Sequence, residues 1–275
     1  RGDVEIHPVS AWSCAHGVGR WERDCGCRMN PDPTWNQRWR TPLRGALNEL
    51  RDELGAFYER KMGALATDPW RARDAYISVV LDGENASDFL AAHAPRALSQ
   101  EERVRFFQLL EMQRCTLLMF TSCGWFFDDV AGGEGVILMK YAARALGLAD
   151  KLGHKNGGTD IEAKFLAHLE KAEANARHAD GTRQNGRDVY VEKARSAALD
   201  HERVAVSVAL GAATGEAAHE KIAAFAVAGH EEHAVDDAAV PCVAGRVDLV
   251  DERTGETRSL AFVVVGFGGV DWRGV

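Results

Sequence analysis

The sequence predicts an α+β fold, in which a helical bundle domain is followed by the start of a β-sandwich-like domain. Residues 1–40 are rich in Trp, Cys, Gly and Pro and show neither the helical nor the strand period. Residues 41–215 repeat apolar faces at helical spacing, whereas residues 216–275 carry short apolar runs separated by turn residues. We therefore expect a structured loop, a helical bundle domain and a β segment, in that order.

The helices are predicted by apolar spacing and by residues that start helices. Apolar side chains over 43–58 fall on one helical face. Pro69 directly after Asp68 is typical of a first helical position and begins a helix over 68–81. Ser99-Gln-Glu-Glu102 is a capping box for a long helix over 100–121, which is apolar nearly all round and therefore central. Further helices are expected over 134–149, 160–177 and 188–213.

The β segment is predicted by three apolar runs, at 222–228, 240–250 and 260–267, the last two joined by a turn at 251–256. Three runs are too few to close a sandwich. The chain also begins at Arg1 without an initiator methionine. We interpret it as an excised part of a longer protein whose β segment is truncated.

Charge and hydropathy exclude two classes of partner. The chain has 275 residues and a net charge of −8, which argues against sequence-independent nucleic-acid binding because that needs a basic face. No run approaches the roughly 18 apolar residues of a membrane span. The six cysteines do not form the dense pattern of a short secreted disulfide scaffold. We expect neither nucleic acid nor membrane as a partner, and a cytoplasmic location.

The richest segment is residues 12–39, which we call the Trp/Cys loop. It holds four tryptophans, three cysteines and one histidine. One interpretation is a metal site, because Cys14, His16, Cys25 and Cys27 are a legitimate zinc ligand set. The spacing C-x-H…C-x-C differs from the usual C-x2-C knuckle, so both pairs need tight turns. The glycines of the loop could provide those turns, at positions 17, 19 and 26.

Two other interpretations of the Trp/Cys loop stay open. The tryptophans can be packing anchors for an irregular segment. They can also line a carbohydrate cleft in which indole faces stack on sugar rings and polar side chains bind the hydroxyls. The polar candidates are Arg20, Asp24, Asn36 and Gln37. Composition alone does not separate packing anchors from a cleft.

A second segment, Phe120-Thr-Ser-Cys-Gly-Trp-Phe-Phe-Asp-Asp129, follows the central helix. Ser122, Cys123 and Gly124 are expected to interrupt that helix and to project Trp125 and the pair Asp128/Asp129. Paired carboxylates can act as acid and base, but neighbouring residues on a helix point about 100° apart. A solvated or helix-capping role is the simpler interpretation, so we assign no catalytic residue.

The motif His230-Glu-Glu-His233 is rejected as a protease zinc site. That site needs histidines four residues apart with a helix beneath them. Here the histidines are three apart, and the surroundings predict the end of a strand.

Four motifs together carry a family resemblance: Ser13-Cys-Ala-His-Gly-Val-Gly-Arg-Trp-x-x-Asp-Cys-Gly-Cys27, Trp35-Asn-Gln-x-Trp-Arg-x-Pro-Leu-Arg44, Leu110-Glu-x-Gln-Arg114 and the segment 120–129. They resemble the uncharacterised domain that follows the catalytic barrel in bacterial proteins similar to family-57 glycoside hydrolases, which include amylases, 4-α-glucanotransferases and α-glucan branching enzymes. The resemblance is densest over 4–150 and looser over 151–200.

The resemblance implies a helical bundle that completes a carbohydrate cleft, with an α-glucan or oligosaccharide as ligand and the catalytic barrel upstream in the same polypeptide. Ser122-Cys-Gly-Trp125 resembles a Ser-Asp-Trp-type motif of that family, which implies Trp125 as a cleft wall. The nucleophilic Glu and acid/base Asp would lie in the barrel, so this part alone is expected to be inactive and to need no cofactor. The substrate contacts expected on this interpretation are Trp12, His16, Trp21, Asp24, Asn36, Trp125 and Asp128.

The alternative function is a non-catalytic module whose loop is stabilised by zinc. On that interpretation the thiolates of Cys14, Cys25 and Cys27 and the imidazole of His16 hold the metal, and the tryptophans serve packing.

Overall fold

A computed structural model describes residues 4, 5, 7, 9–154, 160–216, 219–235, 240–268 and 271–274. It contains helices and a curled antiparallel sheet, so the predicted α+β class is confirmed. Within the described residues, no helix is both long and apolar enough to cross a membrane.

The ten α-helices of the described residues range in length from 4 to 23 residues. In chain order they are α1 (Arg40–Met62), α2 (Pro69–Ala75), α3 (Ile77–Leu81), α4 (Ala86–His93), α5 (Gln100–Leu118), α6 (Cys123–Phe126), α7 (Gly133–Lys151), α8 (Ile161–Leu169), α9 (Gly186–Val189) and α10 (His201–Thr214) within the described part of the chain. A 3₁₀ turn lies at Gly19–Trp21, another at Gly83–Asn85, and a π-helical segment, Tyr190–Arg195, continues α9.

The strands form two antiparallel sheets. The first is a hairpin of β1 (Glu173–Arg177) and β2 (Arg183–Asn185). The second is a five-stranded meander in the order β3-β4-β5-β6-β7, with strands β3 (Lys221–Ile222), β4 (Phe225–Ala234), β5 (Cys242–Asp251), β6 (Glu256–Gly266) and β7 (Trp272–Gly274). The three predicted strand regions correspond to β4, β5 and β6.

The chain divides into two compact units that differ from the predicted domains. The first comprises Arg1–Ala64, Asp68–Arg73 and Leu109–Ala198, and the second comprises Leu65–Thr67, Asp74–Gln108 and Leu199–Val275. Residues 74–108 were expected in the helical bundle but group with the β segment. These residues contain an aromatic cluster formed by Tyr76, Phe89, Phe106 and Phe107. The ring centroids of its contacting pairs are 5.7–6.4 Å apart.

In the second unit, a helix covers the apolar face of the five-stranded sheet. Val204, Val208 and Ala209 of α10 pack against buried side chains of the sheet, which include Val247, Leu249, Phe262 and Val264. We expected the start of a β-sandwich. Among the described residues the second layer is instead a helix, because α10 presents a small apolar face that matches the inward side chains of β5 and β6.

In the first unit, one predicted helix is shorter than its sequence pattern. The helix predicted over 160–177 ends at Leu169, and residues 173–177 form strand β1 instead. Glu-Ala-Asn-Ala-Arg suits a helix by propensity, but the backbone N–H of Asn175 bonds to Asp129 Oδ1 at 3.0 Å and that of Ala176 to Asp129 Oδ2 at 2.8 Å. Tertiary hydrogen bonds therefore override local propensity here.

The predicted capping box at the start of α5 is confirmed. The backbone N–H of Ser99 donates to Glu102 Oε2 at 2.9 Å, and that of Glu102 donates to Ser99 Oγ at 3.3 Å. Arg96 also bonds Glu102 through both carboxylate oxygens, at 2.6 and 2.8 Å. The side-chain bonds from Arg96 and the backbone bond from Ser99 lower the pKa of Glu102 to about 2.

Replacing Glu102 by Gln should therefore remove a pH-dependent part of the stability. The folded pKa is depressed, so the contribution is complete above the unfolded value of about 4.3 and is lost as the pH falls toward 2. Urea unfolding of both proteins between pH 7 and pH 2.5 should show a stability difference that is constant above about pH 5 and shrinks below it. Glu101→Gln, at a neighbouring exposed position, is the control; a Glu102→Gln difference that ignores pH would contradict the assignment.

Candidate metal centre

The Trp/Cys loop is irregular but is fixed to the first unit by specific hydrogen bonds. The guanidinium of Arg20 is buried and donates to the carbonyls of Ser13 at 2.9 Å and Phe126 at 2.5 Å. The indole N–H of Trp21 donates to the carbonyl of Ser122 at 2.8 Å. Two residues of the 3₁₀ turn thus attach the loop to the segment around α6.

Within this loop, four metal-ligating side chains converge. The ligand atoms of Cys14, His16, Cys25 and Cys27 all lie within 4.8 Å of one another. We call these residues the Cys/His cluster. The Sγ atoms of Cys14 and Cys25 are 3.8 Å apart, and Cys27 Sγ lies 3.5 Å from His16 Nδ1. The cluster could therefore hold a metal ion, as the residue types predicted.

Two of the distances within the cluster match the edges of a tetrahedral zinc site. Zinc binds thiolate sulfur at about 2.3 Å and imidazole nitrogen at about 2.0–2.1 Å. A tetrahedron built on those bonds has S···S edges of roughly 3.8 Å and S···N edges of roughly 3.6 Å. The Cys14–Cys25 and Cys27–His16 distances of 3.8 and 3.5 Å fit these edges. The other ligand pairs lie within 4.8 Å of one another.

Glycines shape the backbone at both ligand pairs. Gly26 has φ +74° and its N–H donates to Asp24 Oδ1 at 3.1 Å, which turns the chain between Cys25 and Cys27. Gly17, after His16, has φ +66°, and a Cβ there would come within 2.6 Å of the Val9 carbonyl oxygen. Both positions need glycine, because other residues rarely adopt this region and the second has no room. The expected turns at Gly17 and Gly26 are confirmed.

The surroundings of the cluster favour anionic sulfur. Desolvation raises the pKa of Cys14, but hydrogen bonds from the backbone N–H groups of His16 and Arg20, together with Cys27 and Cys25, outweigh it and lower the pKa to about 6. Desolvation and the neighbouring thiols Cys14 and Cys25 raise the pKa of Cys27. Without a metal, the cluster concentrates its negative charge on Cys14 and disfavours a second thiolate.

A fully buried arginine lies next to the cluster. Arg40, the first residue of α1, donates to the Cys27 carbonyl at 2.9 Å and lies 3.7 Å from Cys25 Sγ. Its Nη2 is 3.8 Å from Asp128 Oδ1. Desolvation and the charge of Arg20 lower the pKa of Arg40, whereas the negative charges of Cys25 and Asp128 raise it. Such a buried cation requires negative neighbours, and the Asp128 carboxylate supplies one.

Asp128 connects the loop to the helices. Its Oδ2 accepts the backbone N–H groups of Met29, at 2.6 Å, and Asn30, and its carboxylate is buried. The neighbouring Asp129 accepts from the backbone of β1. The two carboxylates thus serve separate backbone segments. The Oδ1 of Asp128 lies 3.8 Å from Arg40 Nη2 without a hydrogen bond, and the expectation that Asp128 contacts substrate stays a prediction.

Three further polar candidates also bind the protein itself. Asn36 accepts a hydrogen bond from Asn175 Nδ2 through its carbonyl at 2.9 Å and from the Arg38 N–H through its side chain at 3.0 Å. Asp24 accepts from the Gly26 N–H, and His16 points its Nδ1 at Cys27. These three side chains are used within the loop, and Asp24 and His16 stay partly open to solvent.

The tryptophans have different environments. Trp39 and Trp125 are buried, at 1% and 0% exposure, and the Trp125 ring stacks on Phe120 at 6.4 Å. Gly124 allows this, since a Cβ there would overlap Leu138 of α7. Trp125 therefore anchors α6 against α7. The expectation that it forms a cleft wall is corrected, because none of its surface is accessible.

Only Trp12 among the predicted stacking residues is fully open. Its side chain is 92% exposed and its ring lies 5.7 Å from that of Phe126, which in turn lies 5.2 Å from the ring of Phe127. We call Trp12, Phe126 and Phe127 the aromatic surface. Trp21 is half-buried, and its indole N–H is bonded to Ser122.

Sequence reasoning missed Arg40 and Asn175. Both are buried or half-buried connectors, and neither sits in a motif of metal or sugar sites. A buried arginine at a helix start has no sequence signal of its own. His230 and His233, rejected above, lie on strand β4, as their surroundings predicted.

Asp128→Asn should destabilise the first unit by about 2–4 kcal/mol, because it leaves the buried guanidinium of Arg40 without its carboxylate. The amide nitrogen would also face a donor, either Arg40 or the N–H groups of Met29 and Asn30. Urea unfolding measures the change. Asp52→Asn, at an exposed position, is the matched control and should change stability by less than about 0.5 kcal/mol; an equal effect of the two variants would contradict the role of Asp128.

Comparison with known proteins defines the family but not an activity. No curated protein and no solved structure matches the chain. Residues 35–275 match the domain of unknown function DUF3536. The match begins inside the Trp/Cys loop and includes α1, which carries Arg40, and the whole of the second unit. Since it covers most of the sequence, the chain belongs to the DUF3536 family.

Proposed function

We propose that this chain is a non-catalytic module whose Trp/Cys loop is held by a structural zinc ion bound to Cys14, His16, Cys25 and Cys27. The observation that carries the proposal is the convergence of the four ligand atoms within 4.8 Å of one another. The module presents the aromatic surface to a ligand or partner, and the metal keeps that surface in place.

The ligand set favours zinc over harder metals. Three thiolates and one imidazole are soft or borderline ligands, which select zinc or similar ions over calcium and magnesium. The set is also complete, since a structural zinc site has four protein ligands. A catalytic zinc keeps one position for water or substrate. The role supported here is therefore stabilisation rather than catalysis.

Arg40 fits the charge of such a site. Zinc with three thiolates carries a formal charge of −1, and the guanidinium of Arg40 lies next to Cys25 and Cys27. In the metal-free protein the raised pKa of Cys27 disfavours a second thiolate beside Cys14. A bound metal ion would offset the repulsion between neighbouring thiolates. Zinc therefore removes the electrostatic conflict inside the loop.

The loop is the part of the first unit that most needs a metal. Between residues 12 and 39 its only regular structure is one 3₁₀ turn. A segment with so little regular structure is stabilised by cross-links. A bound metal would join residues 14–16 to residues 25–27 across the 3₁₀ turn.

We expect the purified protein to bind one zinc per chain, and Cys27→Ser to lose it. Elemental analysis measures the metal. Chelation should open the loop and make Arg23 and Arg28, both exposed, at least ten times more susceptible to trypsin, as followed by mass spectrometry.

Cys123→Ser is the matched control, because Cys123 is exposed and lies outside the cluster. It should retain the zinc and the resistance to trypsin. Full zinc content in Cys27→Ser, or no zinc in the unaltered protein after loading and desalting, would overturn the proposal.

A second candidate function is favoured by the exposure of Trp12. In this proposal the chain is the C-terminal region of a family-57-like glycoside hydrolase or α-glucan transferase and completes its carbohydrate cleft. The catalytic carboxylates belong to a barrel elsewhere in the same polypeptide. An indole that is 92% exposed beside Phe126 offers the flat apolar face on which a sugar ring stacks. Of the predicted contacts, Trp12 remains the strongest, with His16, Trp21 and Asp24 at the same surface loop.

On this second proposal, Trp12→Ala should weaken binding of maltooligosaccharides by the full polypeptide about tenfold, which corresponds to about 1.4 kcal/mol. Titration calorimetry with maltoheptaose measures the affinity. Ile77→Ala is the control, since it removes an exposed apolar side chain from the second unit. Absence of heat at millimolar ligand, or equal affinity of the Trp12 variant, would contradict the carbohydrate proposal and leave the zinc proposal standing.

A further inference from the structure

We propose that Cys14 and Cys25 form an oxidation site for peroxides, at which a disulfide replaces two zinc ligands and releases the metal. This inference rests on the proposed zinc function and adds a regulation of the same site. It is carried by the 3.8 Å between the Cys14 and Cys25 sulfur atoms and by the unequal exposure of these two residues.

The geometry selects Cys14 and Cys25 as the pair. Their Sγ atoms are 3.8 Å apart, so a bond of about 2.05 Å requires each sulfur to move by about 1 Å. Cys27 also contacts both of these thiols, but its sulfur faces His16 Nδ1 at 3.5 Å. A bond between Cys25 and Cys27 would close a small strained ring through Gly26, whereas Cys14 and Cys25 are separated by ten residues.

Exposure indicates which sulfur of the pair Cys14 and Cys25 reacts first. Cys14 is buried, at 4% exposure, whereas Cys25 is partly exposed and is flanked by the exposed residues Asp24 and Gly26. A small peroxide therefore reaches Cys25 from solvent. Arg40 Nη1, 3.7 Å from Cys25 Sγ, faces the same sulfur and can donate a hydrogen bond to the oxygen that arrives there. Cys14 lies beneath and is placed to attack next.

The reaction balances with hydrogen peroxide as oxidant. The Cys25 thiolate attacks one peroxide oxygen, the O–O bond breaks, and the hydroxide that leaves takes a proton to become water. The Cys14 thiolate then attacks the sulfur of the Cys25 sulfenic acid, an S–S bond forms, and a second hydroxide leaves and is protonated. Two thiolates, one peroxide and two protons become one disulfide and two waters.

Loss of the metal follows from the number of ligands left. Cys27 and His16 are two donors, where a structural zinc site needs four. The zinc leaves as the hydrated ion, and the loop keeps one covalent tie, between residues 14 and 25, in place of four metal bonds. Reduction of the disulfide restores the ligand set.

The test uses the zinc-loaded, unaltered protein, so it does not depend on whether variants fold. Zinc is quantified first. Hydrogen peroxide is then added in tenfold excess with a colorimetric zinc indicator present, and the product is digested without reduction for peptide mapping. We expect one zinc released per Cys14–Cys25 disulfide formed, and rebinding after addition of a thiol reductant and zinc.

The outcomes separate the two proposals. Absence of zinc before peroxide is added overturns the zinc function and the inference with it. A protein that holds zinc but forms no Cys14–Cys25 disulfide, or joins Cys25 to Cys27 instead, overturns the inference alone. Cys123→Ser should release zinc at the unaltered rate, and Cys14→Ser, if it still binds zinc through the remaining ligands, should stop at a sulfenic acid on Cys25 that dimedone labels.

Discussion

The buried pair Arg40–Asp128 is the interaction on which the first unit depends. Arg40 begins α1, and Asp128 lies between α6 and α7. One guanidinium contacts the Cys27 carbonyl, the Cys25 sulfur and, at 3.8 Å, the Asp128 carboxylate. That carboxylate in turn accepts hydrogen bonds from the backbone N–H groups of Met29 and Asn30. The main-chain carbonyl of Asp128 accepts hydrogen bonds from the side chains of Trp39 and Asn175. The loop, two helices and the β1–β2 hairpin thus meet at one ion pair.

Burying that pair has an electrostatic consequence for the loop. Arg40 and Asp128 cancel in charge, but Arg20 is also buried and lowers the pKa of Arg40 through repulsion. The two guanidiniums need more negative charge than Asp128 supplies. In the proposed zinc site, a thiolate cluster with a net charge of −1 would supply it at the place where Arg40 is nearest. The metal and the ion pair would then stabilise each other, since removal of either would leave an uncompensated charge in a low-dielectric region.

The sequence was sufficient where local chemistry decides. Apolar periodicity predicted α1, and the capping box at Ser99 predicted the start of α5. A metal site was one of three interpretations of the Trp/Cys loop, and the ligand atoms of Cys14, His16, Cys25 and Cys27 do converge. The prediction failed where residues distant in sequence determine the local structure. Asp129 precedes Asn175 by 46 residues and accepts its backbone N–H, which favours the strand over the predicted helix. The burial of Trp125 depends on the space beside Leu138. The exposed Trp12 and the buried Trp125 have the same side chain, so composition could not distinguish them.

The position of Trp12 would relate the proposed metal to the proposed recognition by the aromatic surface. A fully exposed indole costs apolar hydration and, on a mobile loop, would also lose conformational entropy when a ligand binds. Trp12 is two residues from Cys14 and rests on Phe126, whose carbonyl accepts from Arg20. A metal bound to Cys14 would also fix the backbone next to Trp12. Binding of a ligand to the aromatic surface would then cost little conformational entropy. Oxidation at Cys14 would move that backbone, and the affinity of the aromatic surface should then report the state of the cluster.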